Sequence, residues 1–502
     1  MNEDVQKQTS QSVIRNVLYG SLAWLLPLGL GFVATPVIVR SLGNHDYGIY
    51  ALVLGFISYS FTFNFGRAIT KYIAEYRVTG EREKIRAVIS ASFFLNIVVG
   101  LNGLALMCLL AGWLVRSVFN IEQQDQEKTI IAIYIASVVI FLWMLTQAFT
   151  SVLQGVQRFD IYSRIFTANS FVVTLGNLLL AYFGFGLLAL LSWNVVVLTI
   201  FFVVYGISAK KLLPEFEISL GFGRETLGMV ARYSSAIVAY QMLANILLLF
   251  ERGWITHRLG SESLTYYVVP MSLGLYLHGF VSSLAQVVFP LASELKNDRE
   301  KLLRLYTKAV KVISVLVVFV VVSVAVSSPT FLQLWMGEQF AERSSNLLIL
   351  HIACFGLISI MSVAWQMTEG LGFPQLNALF TGICTMIGIA LMFILTDGLG
   401  NFGVALARFL AFAAVFASVF FIERKFFGEV QKKFWLVIAG SLALAAGVAG
   451  IIEFAALHYL PTNWASLAFA IFIGGLAYCG IVWLVGLVSE EDKQLTRQVL
   501  NR

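Results

Sequence analysis

The sequence predicts an all-α polytopic membrane protein of about 14 transmembrane helices. Two parallel-repeat six-helix bundles surround a central cleft, and two extra helices follow at the C-terminus. Three observations carry this reading. Of the 502 residues, 59% are hydrophobic and only 12% charged, with a mean hydropathy of +0.82, whereas a soluble chain carries about 25% charged residues. The apolar residues fall in long runs such as "VLYGSLAWLLPLGLGFVATPVIV" rather than at helical or strand spacing, and runs of about 18 or more read as membrane spans. The chain also matches itself at an offset of 217 residues. Backbone groups in hydrocarbon must be satisfied internally, which leaves helices or a closed barrel. Barrel strands would alternate over about ten residues, and these runs do not.

In chain order the spans are expected over 17–39, 47–65, 89–114, 129–150, 166–183, 186–207, 233–254, 265–289, 309–328, 346–367, 376–395, 402–422, 435–457 and 465–487. The first 15 residues are polar, and the run after them ends at Arg40 without a small-residue cleavage pattern, so it reads as a first span rather than a signal peptide. Between spans six and seven lies "SAKKLLPEFEISLGFGRETLGMVARY", whose Pro214 and glycines make it a linker. The expected divisions are therefore 1–210 (first bundle), 211–232 (linker), 233–424 (second bundle) and 425–502 (two further spans and a tail). Cys108, Cys354, Cys384 and Cys479 sit inside apolar runs without paired spacing and read as buried free thiols.

Loop charge orients the chain. With a cytoplasmic N-terminus, only Arg40, Arg116, Lys128, Arg252, Arg258 and Arg343 of the 34 basic residues fall on the outer side, and Arg408 lies within a span. Both termini are then cytoplasmic. In the 217-residue register Leu42-Gly43 falls on Leu259-Gly260, Tyr50 on Tyr267, Tyr59 on Tyr276, and Arg82-Glu83-Lys84 on Arg299-Glu300-Lys301. Six spans separate equivalent positions, so both copies face the same way, and a parallel repeat is transporter architecture. No Walker A sequence is present, so ATP hydrolysis is excluded. The five histidines show no metal-ligand spacing, and neither a cofactor, a metal nor a nucleic-acid partner is expected.

Three segments carry a resemblance. "RSLGNHDYGIYAL" (Arg40–Leu52), "FNFGRAITKYIAEY" (Phe63–Tyr76) and "ERGWITHRLGSESLTYY" (Glu251–Tyr267) resemble motifs of the Wzx-type oligosaccharide flippases. These polysaccharide-export proteins belong to the MOP superfamily, which also includes MATE multidrug transporters and the lipid II flippase MurJ. One departure is Asn64, where many relatives carry Asp. The resemblance implies flipping of an undecaprenyl-diphosphate-linked oligosaccharide (an O-antigen, capsule or exopolysaccharide repeat unit) from the cytoplasmic to the periplasmic leaflet of a bacterial inner membrane. It implies alternating access coupled to an H+ or Na+ gradient, contact with bilayer lipids, and a pathway shared with glycosyltransferases and a polysaccharide polymerase. The alternatives are a MATE-like multidrug or metabolite antiporter and a MurJ-like lipid II flippase. A polymerase or ligase ranks lower, since the longest outer loop is only about 14–17 residues.

A diphosphate calls for cations in the cleft, and intramembrane charge marks function by default. The substrate-binding candidates are Arg252, Arg408, Arg67, Lys71, Arg40 and Arg258. A planar guanidinium binds two phosphate oxygens at once. Arg67 and Lys71 share a helix face one turn apart, while Arg40 and Arg258 flank the repeated Leu-Gly turns. The ion-coupling candidates are Glu251, Glu453, Asp397 and Glu369. Each has a plainer reading beside it: interfacial snorkelling for Glu251, Arg252 and Arg408, inside-positive anchoring for Arg67 and Lys71, and a loop position for Glu369.

Overall fold

The computed structural model describes residues 29–56, 59, 66–213, 216 and 222–487. Among them the regular elements are helices. Residues 29–56 (α1) are helical on both sides of Gly43. There follow α2 (Gly66–Thr79), α3 (Arg82–Trp113), α4 (Gln126–Gly155), α5 (Phe159–Tyr182), α6 (Leu187–Leu212), α7 (Arg224–Leu259) and α8 (Ser261–Ala285). The remainder is α9 (Val288–Glu294), α10 (Arg299–Met336), α11 (Glu338–Gly370), α12 (Pro374–Val415), α13 (Ala417–Phe427), α14 (Lys432–Tyr459) and α15 (Trp464–Leu484).

Ten helices among the described residues are long and apolar enough to cross a membrane. One of them, Pro374–Phe427, is 54 residues long and takes two of the expected spans; Gly400, at φ 54 and ψ −135, breaks it between them. α7 adds the charge-free stretch 233–250. The first two expected spans, 17–39 and 47–65, fall partly outside the described residues, as does Asn64. α10, with 38 residues, would measure about 57 Å at 1.5 Å per residue. The hydrocarbon layer is about 30 Å thick, so the basic first turns of α10 reach beyond it.

The chain divides by compactness into Met1–Thr265 and Tyr266–Arg502. In the first unit Ile69 and Ile73 of α2, Ile85 and Ile89 of α3, Phe149 and Val152 of α4, and Tyr205 and Ala209 of α6 form one core, and α7 packs on α2 and α3. In the second unit α8 to α13 share a core that includes Val281, Tyr306, Ile313, Met361, Met367 and Ile422. The apolar stretch of α11 is 72% buried and, among the described residues, that of each other candidate span 50% or less, so α11 is the centre of this unit. α14 and α15 attach to α10 through Leu442, Ala445, Tyr478 and Val482, and the Tyr478 hydroxyl donates to the Val315 carbonyl at 2.9 Å. Large side chains such as Leu109, Ile394 and Leu484 stand exposed over most of their surface, as helices facing lipid require. The same geometry corrects one expectation. Cys354 and Cys384 are buried and Cys108 half-buried, but Cys479 is exposed on the outward face of α15; all four are free thiols.

The backbone carries the internal repeat. Gly43 (φ 77) and Gly260 (φ 85) lie 217 residues apart, as do Asn120 (φ 51) and Gly337 (φ 105). Gln157 (φ 61) pairs with Gly372 (φ 88), and Gly184 (φ 80) with Gly400, within two residues of the same offset. Left-handed backbone is disfavoured for residues other than glycine. Its recurrence at four corresponding helix ends shows that the two halves turn at the same places. The "REK" copies open α3 and α10, each preceded by an acid that pairs with the lysine: Glu81 with Lys84, and Asp298 with Lys301 at 2.8 Å.

Candidate functional site

α7 ends its apolar stretch with Glu251 and Arg252, and both are buried, at 1% and 8% exposure. The space for the guanidinium comes from α1. A Cβ on Gly55 would meet Arg252 Cδ at 2.7 Å and Cζ at 2.8 Å, and would overlap Nε. The Tyr59 ring lies 5.2 Å from Cζ, within cation–π range, and Asn245 of α7 donates to the Tyr59 carbonyl at 3.1 Å. Nε and Nη1 of Arg252 have no hydrogen-bond partner among the described residues. A different face of α7, carrying Phe250, Trp254 and His257, lines a cavity of about 490 Å³ with Phe56 and Val118, in which the Phe250 and Trp254 rings stack at 5.6 Å. A buried guanidinium whose Nε and Nη1 have no partner among the described residues suits a ligand that presents anionic oxygens.

The two Leu-Gly turns meet close by. The Thr265 hydroxyl donates to the Asn44 carbonyl at 2.5 Å, and Gly48 leaves room for the Ser261 carbonyl. His45 Nε2 lies 2.8 Å from Asp125 Oδ2, and Lys128 Nζ lies 2.7 Å from both Asp46 and Asp125. His45, Asp46 and Asp125 have the spacing of a cation site. The Lys128 ammonium already bridges the two carboxylates, so the cluster is an ion-pair network that anchors the turn to α4. The residues between Asn44 and Gly48 thus serve as a structural hub. Arg40 and Arg258 at the flanks are exposed, and Arg258 lies over the Trp254 ring at 5.3 Å.

In the second unit Arg408 of α12 is 3% exposed, with Phe355 of α11 at 5.3 Å and Phe412 at 5.9 Å from its Cζ. One turn from Phe355, His351 is fully buried, edge-on to Tyr267 at 4.6 Å, and neither ring nitrogen has a partner among the described residues. His278 completes this polar patch with Ser359 at 3.1 Å and Ser282. Sequence reasoning missed His351; its only signal was a lone imidazole in the apolar run "LILHIACF".

The other candidates scatter. Lys71 is exposed over the Tyr72 ring at 4.8 Å, and Arg67 lies in α2 with its side chain outside the described residues. Glu369 is half-buried and accepts from Asn377 at 3.1 Å, while Asp397 is exposed on α12. Glu453 of α14 is fully buried, accepts from Ser323 of α10 at 2.7 Å, and sits against Gly474 of α15. Also missed was Glu423. It is fully buried and accepts from the Tyr306 hydroxyl at 2.9 Å, Trp435 Nε1 at 2.6 Å and the Gln431 backbone at 2.9 Å. This saturated carboxylate ties α10, α13 and α14 together and has little capacity left for a ligand. In "FFIERKFF" it looks like an ordinary charged span end.

A "Putative O-antigen transporter" of Shigella flexneri is 20% identical over 401 residues, covering 79% of this chain and 94% of that one. Among solved structures, the lipid II flippase MurJ in an inward closed conformation superposes with a TM-score of 0.74 at 15% identity, covering 94% of this chain and 99% of its own. An inward-facing multidrug resistance MATE transporter of the MOP superfamily gives 0.63 at 17%, covering 82% and 93%. At these identities the structural likeness establishes the fold alone, the one the sequence motifs pointed to. Residues 37–345, more than half of the chain and both turns of the repeat, match the family described as "Polysaccharide biosynthesis protein", and it is to this family that the chain belongs.

Proposed function

We propose that the protein is a transporter, not an enzyme, that flips a lipid-linked oligosaccharide from the cytoplasmic to the periplasmic leaflet of a bacterial inner membrane. The carrier is an undecaprenyl diphosphate, and both termini face the cytoplasm. The observation that carries the reading is the buried Arg252 guanidinium, whose Nε and Nη1 have no partner among the described residues. A diphosphate supplies oxygens to such a group, and the bilayer holds the lipid tail while the polar headgroup crosses. The bundles 1–210 and 233–424, joined through 211–232, rock about the site, and the contact between Asn44 and Thr265 is the outer seal that opens. Glu251, next to Arg252, carries the coupling ion, H+ or Na+, and glycosyltransferases and a polymerase act before and after this step. Arg408, buried within the second unit, is a further cationic candidate.

The test is complementation of a deletion strain, following the lipid-linked oligosaccharide across the two leaflets. Wild type clears the cytoplasmic-side accumulation, Arg252→Ala does not, and Arg252→Lys, a point charge without the planar fork, restores only part. Full clearance by Arg252→Ala, Arg408→Ala and Glu251→Ala alike rules the site out while leaving the family assignment standing.

A further inference from the structure

Away from Arg252, within the second unit, the apolar stretch of α14 carries a single acid, Glu453. Its surroundings are supplied by three helices. The Ser323 hydroxyl of α10 donates to Oε1 at 2.7 Å. Gly474 of α15 provides the space: a Cβ there would overlap Cγ and Oε1 of Glu453 and lie 2.7 Å from Cδ. Gly450, one turn earlier on α14, lets α10 approach closely, since a Cβ on it would lie 3.2 Å from Val322 Cγ2. Ser327, one turn beyond Ser323, donates to the Ser323 carbonyl at 2.6 Å, so of these two serines Ser323 serves the acid.

Nothing on these helices neutralises a charge at that point. Glu453 is fully buried, and its Oε2 has no hydrogen-bond partner among the described residues. α14 packs on α10 and α15. α10 carries no charged residue between Lys311 and Glu338, α15 none between Trp464 and Leu484, and α14 none between Lys433 and Glu453. The other titratable groups of these helices are committed or face outward. The Tyr478 hydroxyl donates to the Val315 carbonyl, Cys479 is exposed, and His458 is exposed with its ring stacked on Phe454. A carboxylate in apolar surroundings needs a cation or several donors, and this one has one serine. The neutral acid is far cheaper to bury there. A glutamine would accept the same hydrogen bond, but only an acid can exchange a proton.

We propose that Glu453 is a proton-binding site whose occupancy fixes α14–α15 on α10. With the proton bound, the side chain stays packed between Ser323 and Gly474. When the carboxyl O–H breaks and its proton passes to water, the carboxylate recruits hydration and α14–α15 loosens from α10 around it. The site is separate from Arg252, and its test involves no substrate.

The experiment uses the full-length protein in phosphatidylcholine vesicles. Infrared spectroscopy follows the carboxyl, and hydrogen exchange, corrected for its intrinsic pH dependence, follows the amides of α14 and α15. An ordinary glutamate, with a pKa of about 4.3, is ionised at about pH 7. Wild type is expected to keep at that pH a protonated-carboxyl carbonyl band that moves in D2O, and Glu453→Gln lacks it. Ser323→Ala moves the band to higher frequency, because the carbonyl loses its donor. As pH rises to about 10 the band disappears, and over the same interval the protection of α14–α15 falls several-fold. Glu453→Gln, which keeps the shape and the acceptor, holds its protection throughout, and Glu429→Gln, an exposed acid just ahead of α14, behaves as wild type. No band lost in Glu453→Gln, a band that ignores Ser323→Ala or persists to about pH 10, or an equal fall in protection in wild type and Glu453→Gln overturns the inference.

Discussion

Gly55 decides whether Arg252 fits. A methyl group there meets the guanidinium stem well inside contact distance, so Gly55→Ala must displace Arg252 or part α1 from α7. Overpacking of this kind costs about 1–3 kcal/mol. Gly55→Ala is expected to lower flipping about as far as Arg252→Ala while the protein still assembles, measured by complementation and by yield from the membrane. Gly55→Ala activity equal to wild type would show that the space around the guanidinium is not needed. Glu423 makes the contrasting case. Its carboxylate satisfies three donors, so Glu423→Ala leaves the Tyr306 hydroxyl, the Trp435 indole and the Gln431 amide without it. Each buried unmet group costs about 1–3 kcal/mol. A lowered melting temperature with α14–α15 more open to protease is expected, and an unchanged melt would argue against the bracing role. In the sequence Glu251 and Arg252 stood out because charge in an apolar run is visible in one dimension. Glu423 did not, because its three partners are up to 117 residues away.

At the scale of the element, helix starts and stops are written in a few residues. Asp298 precedes α10, accepts from the Lys301 backbone at 3.0 Å and pairs with the Lys301 ammonium. The Lys301 side chain, with its backbone N–H, holds the Asp298 carboxyl below the usual carboxylate range. A depressed acid contributes stability above its unfolded pKa, about 3.9, and loses that contribution as pH falls through the lower folded value. Asp298→Ala is therefore expected to speed amide exchange in the first turn of α10 at neutral pH, and the difference from wild type should vanish below the folded-state pKa. Equal exchange at pH 7 would refute the cap. Asp298→Asn, which keeps the acceptor, should fall between. The break at Gly400 and the turns at Gly43, Gly260 and Gly337 were legible as glycines beside apolar runs. Asn120 and Gln157, left-handed without being glycine, were not.

For the whole molecule, the proposed cycle has the Asn44–Thr265 contact break as the outer seal opens. Asn44→Cys with Thr265→Cys, in a background without the four native cysteines, is expected to cross-link under oxidation and to stop flipping until reductant is added. Transport that continues through the cross-link would remove this contact from the cycle. Single-cysteine labelling tests orientation: Asn297→Cys is expected to react only from the cytoplasmic side and Asn120→Cys only from the other.

The sequence by itself determined that the chain spans a membrane many times, where most spans lie, and that its halves repeat. These properties follow from run length against bilayer thickness and from residue order, which are quantities along the chain. Which charges are buried came from packing in three dimensions. It buried Arg252 against a glycine of α1, left Arg40 and Lys71 exposed, and placed His351 beside Tyr267. The physical reason is that a helix's rotation about its axis is set by packing against distant segments. That rotation alone determines whether a charged side chain meets lipid, water, a saturating partner or an open cavity.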